Sequence, residues 1–351
     1  MMNSFKALFI IIVFTLYSFS STAKSPDTLF VASWNLQNLF DTINDPQKND
    51  EEFLPEGEMH WTADRLDKKL YNLARVIRSM NHGSGPDLLG VCEVENQAVI
   101  DTMIKKYLSD LSYKSAYLES PDKRGIDNGL IFKSNKFKLL NVQADTVHLS
   151  GGWPTRLIFG VNLLLNSNEK LTVFVNHWPS RSGGQLESEP NRIEAAKTLR
   201  SAVNRIFKIE PDAKIFIVGD FNDDPVNVSV LETLKAYPLR CDSTTLDYEI
   251  KSDGELFNLS YETYESGSGS YKYKDTWNLL DQIIVSGSLI NGEEINYICK
   301  SFEVYKPDFM VTRSGEYQGT PFPTYGGRKY LGGYSDHFPV ISKFIINRKL
   351  K

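Results

Sequence analysis

The stretch IFIVGDFNDDP, from Ile215 to Pro225, places a run rich in Ile, Val and Phe directly before a cluster of acids. Such a run favours a β-strand. The cluster holds Asp220, Asn222, Asp223 and Asp224, and its three carboxylates repel one another at this spacing. Asp and Asn are common turn residues, so a polar turn is one interpretation. A site for a cation or a phosphoester at the strand end is the other, and this stretch alone leaves both open.

Apolar runs of the same character recur along the chain and predict extensive β-sheet. They are LFVASWNL, LLGVCEV, NGLIF, LIFGVNLLL, LTVFVNHW, LLDQIIV and FPVISKFII, in addition to KIFIVGDF. Helical spacing of apolar residues predicts two helices, from Thr62 to Met80 and from Asn191 to Phe207. This mixed order favours an α/β fold of two packed mixed β-sheets flanked by outer helices over a single parallel sheet.

Residues 1–23 have the pattern of an export signal. Lys6 gives a positive start, ALFIIIVF an apolar centre, and Ser21-Thr22-Ala23 small residues for cleavage. Since the apolar run is short for a membrane span, we expect cleavage, no stable membrane anchor, and an exported protein, periplasmic or secreted. An uncleaved anchor is the alternative. Residues 24–351 are predicted to form a single domain, because no repeat or long linker divides them.

Charge and cysteine content narrow the class of protein. The formal net charge of -5 argues against a protein that coats nucleic acid by bulk electrostatics, which needs many Lys and Arg side chains. A local basic groove on the surface is still compatible with this net charge. The three cysteines, Cys92, Cys241 and Cys299, are too few for a disulfide framework. Their spacing leaves a single bridge between Cys241 and Cys299 open.

Two polar stretches are predicted to be surface loops. The acidic stretch 41–58 lacks the spacing of an EF-hand, so we interpret it as a solvated loop rather than a calcium site. The stretch 260–277 mixes Gly, Ser and Tyr. A plain connection is the ordinary interpretation of such a segment, and a flap over a site is the alternative.

Strand after strand ends in a polar group that suits a metal ion or a phosphate. These groups are Asn35 in ASWNLQN, Glu93 in GVCEVEN, His177 in NHWPSR, Asp220 and Asn222 in GDFND, Asp281 in LLDQI, and Asp336 with His337 in YSDHFPV. Each one alone has a structural explanation, such as a turn cap or a satisfied core histidine. Their recurrence at strand ends is what calls for a joint explanation.

Together and in this order, the motifs resemble the endonuclease/exonuclease/phosphatase superfamily, which has the deoxyribonuclease I-like fold. The resemblance runs from Asn35 to His337, with GDFND and SDHFPV as its most specific parts. The residues of NHWPSRSGG and EVEN are similar to those found in the bacterial exported branch of this superfamily. The resemblance implies a four-layer α/β sandwich and a metal-dependent hydrolase of phosphoesters.

The resemblance also implies a magnesium site. Glu93 would be the main ligand of Mg²⁺, with Asn35 and Asp336 close to the same ion and with Mn²⁺ or Ca²⁺ as alternatives. This donor set suits Mg²⁺, which prefers oxygen ligands and often takes only one or two carboxylates. Some relatives carry an acid where this chain has Gln37. The number of metal ions is therefore left open.

The same resemblance assigns catalytic roles to four further residues. Asp220 would handle the proton of the attacking water or of the leaving oxygen, and Asn222 would orient that water. His337 would face the phosphate. Asp281 would hydrogen-bond the far nitrogen of its ring and favour the imidazolium.

A second histidine and two arginines complete the implied site. His177 would face the phosphate from another strand, with Asp127 in GIDNGLIF at the position of its acidic partner. Arg124 and Arg181 are candidates to bind the substrate phosphate, because a guanidinium matches a phosphate with two parallel hydrogen bonds. Surface solvation is the alternative for both arginines.

The leading functional hypothesis is a Mg²⁺-dependent exported nuclease that cleaves DNA or RNA by in-line attack of water. The alternative is a phosphatase or phosphodiesterase on a smaller substrate, such as an inositol phosphate or a phospholipid headgroup, which needs fewer phosphate contacts. A catalytically inactive binding module ranks third. Aromatic residues such as Tyr271 and Tyr273 could stack bases or simply pack. No obligate protein partner is expected.

Overall fold

The computed structural model describes residues 27–149, 151–241 and 254–347. The predicted signal at 1–23 lies outside these residues, and the assignment of 24–351 to one domain stays a prediction. No helix within the described ranges is both long enough and apolar enough to cross a membrane.

The strands provide the framework that positions the strand-end motifs. In chain order, the described strands are β1 (Asp27–Leu39), β2 (Leu88–Val94), β3 (Tyr113–Tyr117), β4 (Asp127–Lys133), β5 (Phe137–Asp145), β6 (Ile158–Leu165), β7 (Lys170–His177), β8 (Lys214–Asp220), β9 (Ala236–Pro238), β10 (Leu256–Asn258), β11 (Tyr271–Tyr273), β12 (Thr276–Asn278), β13 (Asp281–Ser286), β14 (Ile295–Tyr297), β15 (Glu303–Val304), β16 (Tyr325–Gly326), β17 (Lys329–Tyr330) and β18 (Val340–Ile346). The α-helices are α1 (Ala63–Ser79), α2 (Gln97–Tyr107), α3 (Gln185–Ile209) and α4 (Tyr261–Glu265).

Most strands belong to two large mixed sheets. The first sheet has the order β14-β18-β1-β2-β4-β3, with β15 also paired to β18, and the second has the order β5-β6-β7-β8-β13-β10-β9. The pairs β1-β2 and β7-β8 are parallel, whereas β8-β13 is antiparallel. Parallel neighbours end at the same edge of a sheet, so the motifs that follow them are brought together.

Buried apolar side chains form three layers of core. The sheets pack face to face through residues such as Val31, Leu130, Val218 and Phe344. The outer face of the first sheet is covered by α1 and α2, and the outer face of the second sheet is covered by α3. The order helix, sheet, sheet, helix confirms the predicted fold class.

The sequence-based elements agree with the structure in kind, with differences at their ends. All eight quoted apolar runs contain a strand. The first predicted helix is α1, and Thr62 caps it by accepting a hydrogen bond from Arg65 N at 3.4 Å. The second is α3, which begins earlier than predicted and contains Pro190. Helix α2 was not predicted, because its buried positions cover only Val99 to Ile104.

The structure also shows the conformation of the two predicted loops and the pairing of the cysteines. The stretch 41–58 is largely irregular apart from one short 3-10 turn at Glu51–Phe53. The stretch 260–277 forms α4 and the β11-β12 hairpin instead of a plain connection. Cys241 and Cys299 form a disulfide with a Cα to Cα distance of 5.7 Å, and Cys92 is a buried free thiol.

Replacing both Cys241 and Cys299 with Ser is expected to lower the free energy of unfolding by about 2 to 4 kcal/mol. The bridge joins positions separated by 58 residues, so its loss frees a long loop in the unfolded chain. Urea unfolding of the wild type and the double variant, each with and without dithiothreitol, measures this. Equal stability of the two proteins under oxidising conditions would contradict the prediction.

Candidate active site

One cleft of about 860 Å³ gathers most of the predicted site residues. Strand register explains the convergence: His177 lies opposite Asp220, and Asp220 lies opposite Asp281, across the three neighbouring strands β7, β8 and β13. In the first sheet, Asn35 lies opposite Cys92, directly before Glu93. The predicted residues that line the cleft are Asn35, Glu93, Arg124, His177, Arg181, Asp220, Asn222, Asp336 and His337.

Asn35 joins the two sheets at the floor of this cleft. Its amide nitrogen donates to Glu93 Oε1 at 3.1 Å and to Asp220 Oδ2 at 3.0 Å. The second oxygen of Glu93 accepts from Asn38 N at 2.8 Å. The Glu93 side chain nevertheless keeps 17% of its surface exposed. These bonds fix the direction of the carboxylate and leave it open to the cleft.

Two of the strand-end residues adopt left-handed backbone conformations. Glu93 has a φ of 61° and Asn222 has a φ of 51°. This conformation is unfavourable for residues with a Cβ, and it persists where the surrounding structure holds it in place. In both cases it turns a polar side chain out of the strand pattern at the rim of the cleft.

The segment before His337 is tied to the strand that carries Asn35. Trp34 Nε1 donates to His337 O at 2.9 Å, and Ser335 Oγ donates to Asn35 O at 2.7 Å. These bonds cross about 300 residues of sequence. They hold Asp336 and His337 next to the end of β1.

The His337 ring is held by a buried acid. Its Nδ1 lies 2.7 Å from Asp281 Oδ2, and Ser270 Oγ donates to the same oxygen at 2.6 Å. Burial acts to lower the pKa of His337, but the charges of Asp281, Asp220 and Asp336 raise it well above its ordinary value. Nε2 points towards Asp220 Oδ2 at 3.9 Å. The predicted His337–Asp281 arrangement is therefore present, with the ring held as an imidazolium.

Asp220 and Asn222 face the cleft as predicted. Asn222 N donates to Asp220 Oδ1 at 2.9 Å, and Asn222 Nδ2 donates to Trp178 O at 3.0 Å. Burial raises the pKa of Asp220, and the charge of Asp281 adds to this, while His337 opposes it. A carboxyl group with a raised pKa is suited to accept and return a proton.

The other two acids of the GDFND turn have structural partners. Asp223 Oδ1 lies 2.8 Å from Arg192 Nε, and both side chains are buried. Asp224 accepts from Arg181 Nη2 at 3.0 Å and from Leu279 N at 2.8 Å. The polar-turn interpretation therefore applies to these two acids, whereas Asp220 and Asn222 belong to the cleft.

His177, at the end of β7, differs from His337 in the direction of its pKa shift. Its Nε2 is 3.8 Å from Glu93 Oε1 and 3.8 Å from Asp220 Oδ2. Burial lowers the pKa of His177 well below its ordinary value, and the positive charges of Arg156, Arg124 and His337 lower it further. This histidine is held neutral.

The predicted pairing of Asp127 with His177 is wrong. Asp127 accepts hydrogen bonds from Tyr117 Oη and from Ser120 N, and it does not line the cleft. Among the described residues, no group hydrogen-bonds His177 Nδ1. Asp127 is instead a buried link between β4 and the segment after β3, where burial raises its pKa to about 6.

The two candidate phosphate-binding arginines differ in the number of hydrogen bonds that they make to other protein groups. Arg181 donates to Asn222 O at 2.7 Å and to Asn278 Oδ1 at 2.8 Å, in addition to its bond with Asp224. It holds the turn in place and also lines the cleft, and its role as a phosphate ligand stays a prediction. Arg124 bonds only to Asp122 in the described contacts, and its side chain is 57% exposed at the cleft. Of the two arginines, Arg124 is the one free to reach a phosphate.

Sequence reasoning missed two buried cations, Arg156 in the wall of the cleft and Lys69 behind it. Arg156 donates to His177 O at 3.1 Å and to Trp178 O at 2.6 Å. Lys69 donates to Tyr334 O at 2.7 Å and to Gln37 O at 3.3 Å, and burial lowers its pKa to about 7. The position of Lys69 between Leu66 and Leu70 on the apolar stripe of α1 was the available signal.

The residues predicted to hold a metal ion fit a small hard cation. Glu93 and Asp336 both line the cleft. Burial raises the pKa of Asp336, His337 opposes this, and the charge of Glu93 raises it again. Two carboxylates this close need a neutralising charge. No group of three or more His, Cys, Asp or Glu side chains arranged to hold a metal is found in the described part of the chain, but Mg²⁺ needs only one or two carboxylates.

Gln37, which stands where some relatives have an acid, turns away from the cleft. Its Nε2 donates to Tyr325 O at 3.0 Å, and its Oε1 accepts from Thr324 N at 2.7 Å. Both ends of the amide are used by the segment around β16. Gln37 therefore holds the segment around β16 in place. It adds no metal ligand to Glu93 and Asp336.

Replacing Arg181 with Ala is expected to lower the free energy of unfolding by about 2 kcal/mol, because several partners in the GDFND turn lose their bonds. Arg124→Ala is the matched control and should change it by less than about 0.5 kcal/mol. Thermal or urea unfolding measures both. Equal losses for the two variants would mean that Arg181 does not stabilise the turn.

Comparisons with known proteins agree with this geometry. The model of the Endonuclease/Exonuclease/phosphatase family matches residues 30–346. The chain is similar in fold to an endonuclease/exonuclease/phosphatase family protein from Bacteroides thetaiotaomicron, with a TM-score of 0.58, 16% identity and coverage of 92% of this chain and 100% of that one. It is similar to a mannosyl-6-phosphatase from Bacteroides thetaiotaomicron, with a TM-score of 0.56, 16% identity and coverage of 91% and 100%.

A third similar structure is D. rerio TDP2 complexed with single strand DNA product, with a TM-score of 0.52, 16% identity and coverage of 90% of this chain and 98% of that one. No curated protein matches the chain at a significant level. The family match covers nearly all described residues, and the cleft holds the acids and histidines that phosphoester hydrolysis needs. The chain therefore belongs to the endonuclease/exonuclease/phosphatase family of phosphoester-hydrolysing enzymes.

Proposed function

We propose that this protein is a divalent-metal-dependent phosphodiesterase that hydrolyses nucleic acid by in-line attack of water. The observation that carries the proposal is the His337–Asp281 pair facing Asp220 and Glu93 across one cleft. An imidazolium, a carboxyl group with raised pKa and an open carboxylate are the groups that this reaction requires.

Glu93 and Asp336 would hold the cation, and Mg²⁺ is the proposed ion with Mn²⁺ or Ca²⁺ as alternatives. Asn35 faces Glu93 with its amide nitrogen, and its oxygen accepts from Gln37 N at 2.9 Å, so it would orient the carboxylate. When bound, such an ion neutralises negative charge on the phosphate oxygens. Without it, the neighbouring carboxylates would repel a phosphate. The positive charge of His337 and the exposed guanidinium of Arg124 act in the same direction as the ion.

The chain's own residues supply the proton transfers. The oxygen of water forms a bond to phosphorus while the bond from phosphorus to the leaving oxygen breaks. Asp220 accepts the proton of the water, and Asn222, held by Trp178 O, orients it. The leaving oxygen takes up a proton from solvent water as it departs, and the proton held by Asp220 returns to solvent afterwards. His337, fixed by Asp281, stabilises the charge that develops on the phosphate.

The shape and lining of the cleft favour nucleic acid over a small phosphoester. Tyr271 stacks on the His337 ring with centroids 4.7 Å apart, and Tyr273 and Lys274 line the same cleft. Aromatic and cationic groups beside a phosphate site suit the bases and backbone of a nucleic acid. The similarity to TDP2 complexed with single strand DNA product supports this choice at the level of the fold.

A sugar or lipid phosphoester is the second candidate. The similarity to a mannosyl-6-phosphatase, which is covered over its whole length, favours it. The formal net charge of -5 is also compatible with a substrate that makes few phosphate contacts.

We further propose that the protein is exported and belongs to the bacterial exported branch of the family. The positive start, the apolar centre and the small residues of 1–23 support cleavage of a signal peptide. The mature enzyme would then act in the periplasm or outside the cell.

A panel of Mg²⁺-dependent assays on the purified mature protein tests the proposed reaction. The substrates are plasmid DNA, single-stranded RNA, a phosphoinositide, sphingomyelin and mannose 6-phosphate. We expect cleavage of nucleic acid with no release of phosphate or headgroup from the small substrates. Hydrolysis of a small substrate without cleavage of either polymer would overturn the assignment in favour of the second candidate.

Glu93→Gln is expected to raise the Mg²⁺ concentration needed for half-maximal activity by about tenfold or more, because it removes one of two carboxylates from the site. Calorimetric titration with Mg²⁺ should show the same weakening without substrate. Glu95→Gln is the matched control: burial raises the pKa of Glu95 to about 8, so the substitution changes little charge near neutral pH. Unchanged Mg²⁺ dependence of Glu93→Gln would count against the metal site.

A further inference from the structure

A second pocket opens from the side of the catalytic cleft. It has a volume of about 320 Å³ and shares Arg124, Arg156, Ser180 and Ser182 with the cleft. Tyr271 and Tyr273 do not line it, so it lies on a different flank from the β11-β12 hairpin. A ligand in this pocket can therefore continue into the cleft past Arg124.

The pocket presents an exposed tryptophan. Trp153 has 70% of its surface exposed, whereas Trp34, Trp61 and Trp178 are each exposed by 1% or less. An indole left in water at the mouth of a pocket gains free energy when a flat apolar partner covers it. Its location in the pocket that joins the cleft suggests that the substrate provides this partner.

The charge of the pocket identifies the class of ligand. Its charged lining residues are Lys123, Arg124 and Arg156 against the single acid Asp122. Three positive charges and one negative charge give a formal +2, in a chain whose net charge is -5. Asp122 is already neutralised by its bonds to Arg124 and Arg156. The pocket therefore attracts an anion that also carries a flat ring.

We infer that this pocket is a nucleotide subsite, in which Trp153 stacks on a base of a single-stranded nucleic acid whose scissile phosphate lies in the catalytic cleft. The inference rests on the proposed function and deepens it. Arg124 lines both cavities, so it is placed to bind a backbone phosphate between the cleaved bond and the stacked base. Because a base in a duplex is already stacked on its neighbours, only an unpaired strand can offer its face to Trp153.

The inference predicts that the contribution of Trp153 depends on substrate length. Trp153→Ala should lower kcat/KM by about tenfold on single-stranded oligonucleotides of six to eight nucleotides, the size of effect expected for one lost stacking contact. It should leave the hydrolysis of a dinucleotide or of bis(p-nitrophenyl) phosphate unchanged, since neither has a second backbone phosphate for Arg124 or a base beyond that phosphate. Trp153→Phe should retain most of the activity.

Tyr317→Ala is the matched control for removal of an exposed aromatic side chain, because Tyr317 is 64% exposed and does not line either cavity. It should change none of these rates. Thermal unfolding of each variant tests whether the chain remains folded, which is expected because the Trp153 side chain is exposed.

Tryptophan fluorescence tests binding without turnover. With Mg²⁺ present and turnover blocked by Asp220→Asn, an eight-nucleotide DNA should protect part of the tryptophan fluorescence from iodide quenching. Trp153→Phe should lose the protected fraction. This readout depends on contact with the indole and requires no turnover.

The outcomes separate the subsite from the function on which it rests. If oligonucleotides are cleaved but Trp153→Ala has the same effect at every length, or no effect, the subsite is wrong and the nuclease proposal survives. If neither DNA nor RNA is cleaved while a small phosphoester is, both proposals are overturned. Loss of iodide protection together with length-dependent loss of kcat/KM supports the subsite.

Discussion

The two hydrogen bonds donated by the Asn35 amide are the contact on which the rest of the site depends. One reaches Glu93 at the end of a strand in the first sheet, and the other reaches Asp220 at the end of a strand in the second. Bonds to charged acceptors in a buried setting are among the stronger ones in proteins. Because each carboxylate is fixed by the same amide, the sheets cannot slide past one another without separating Glu93 from Asp220.

Buried cations in the wall of the cleft and behind it support this contact. Lys69, Arg156 and Arg192 are exposed by 1%, 6% and 0%, and each bonds to oxygen atoms of the segments that end at the cleft. A buried charge is costly unless its hydrogen bonds are satisfied, and such pairs add little net stability. Their use here is better understood as positioning: one cation can hold several backbone carbonyls from segments far apart in sequence.

The sequence predicted what depends on local pattern. Apolar runs located the strands, and Thr62 marked the start of α1, since both reflect spacing along the chain. Prediction from the sequence failed for residues whose role depends on the direction in which the side chain points. Asp127 lies one strand away from the cleft but points to Tyr117, and Arg181 lines the cleft but bonds to Asn222 O. The disulfide between Cys241 and Cys299 was undecided because proximity across 58 residues is not encoded in spacing.

The two cleft histidines illustrate how the surroundings, and not the motif, set chemical character. Both side chains are buried at strand ends and point Nε2 at Asp220 Oδ2, at 3.8 and 3.9 Å. His337 has a buried acid behind its ring, and its pKa rises. His177 has no hydrogen-bond partner for Nδ1 among the described residues, and burial, together with the charge of Arg156, lowers its pKa. One ring is thus a fixed positive charge and the other a neutral donor or acceptor. In the proposed reaction, a phosphate beside both rings would meet them without either ring changing its protonation first, which is the kind of preorganisation that lowers the cost of a transition state.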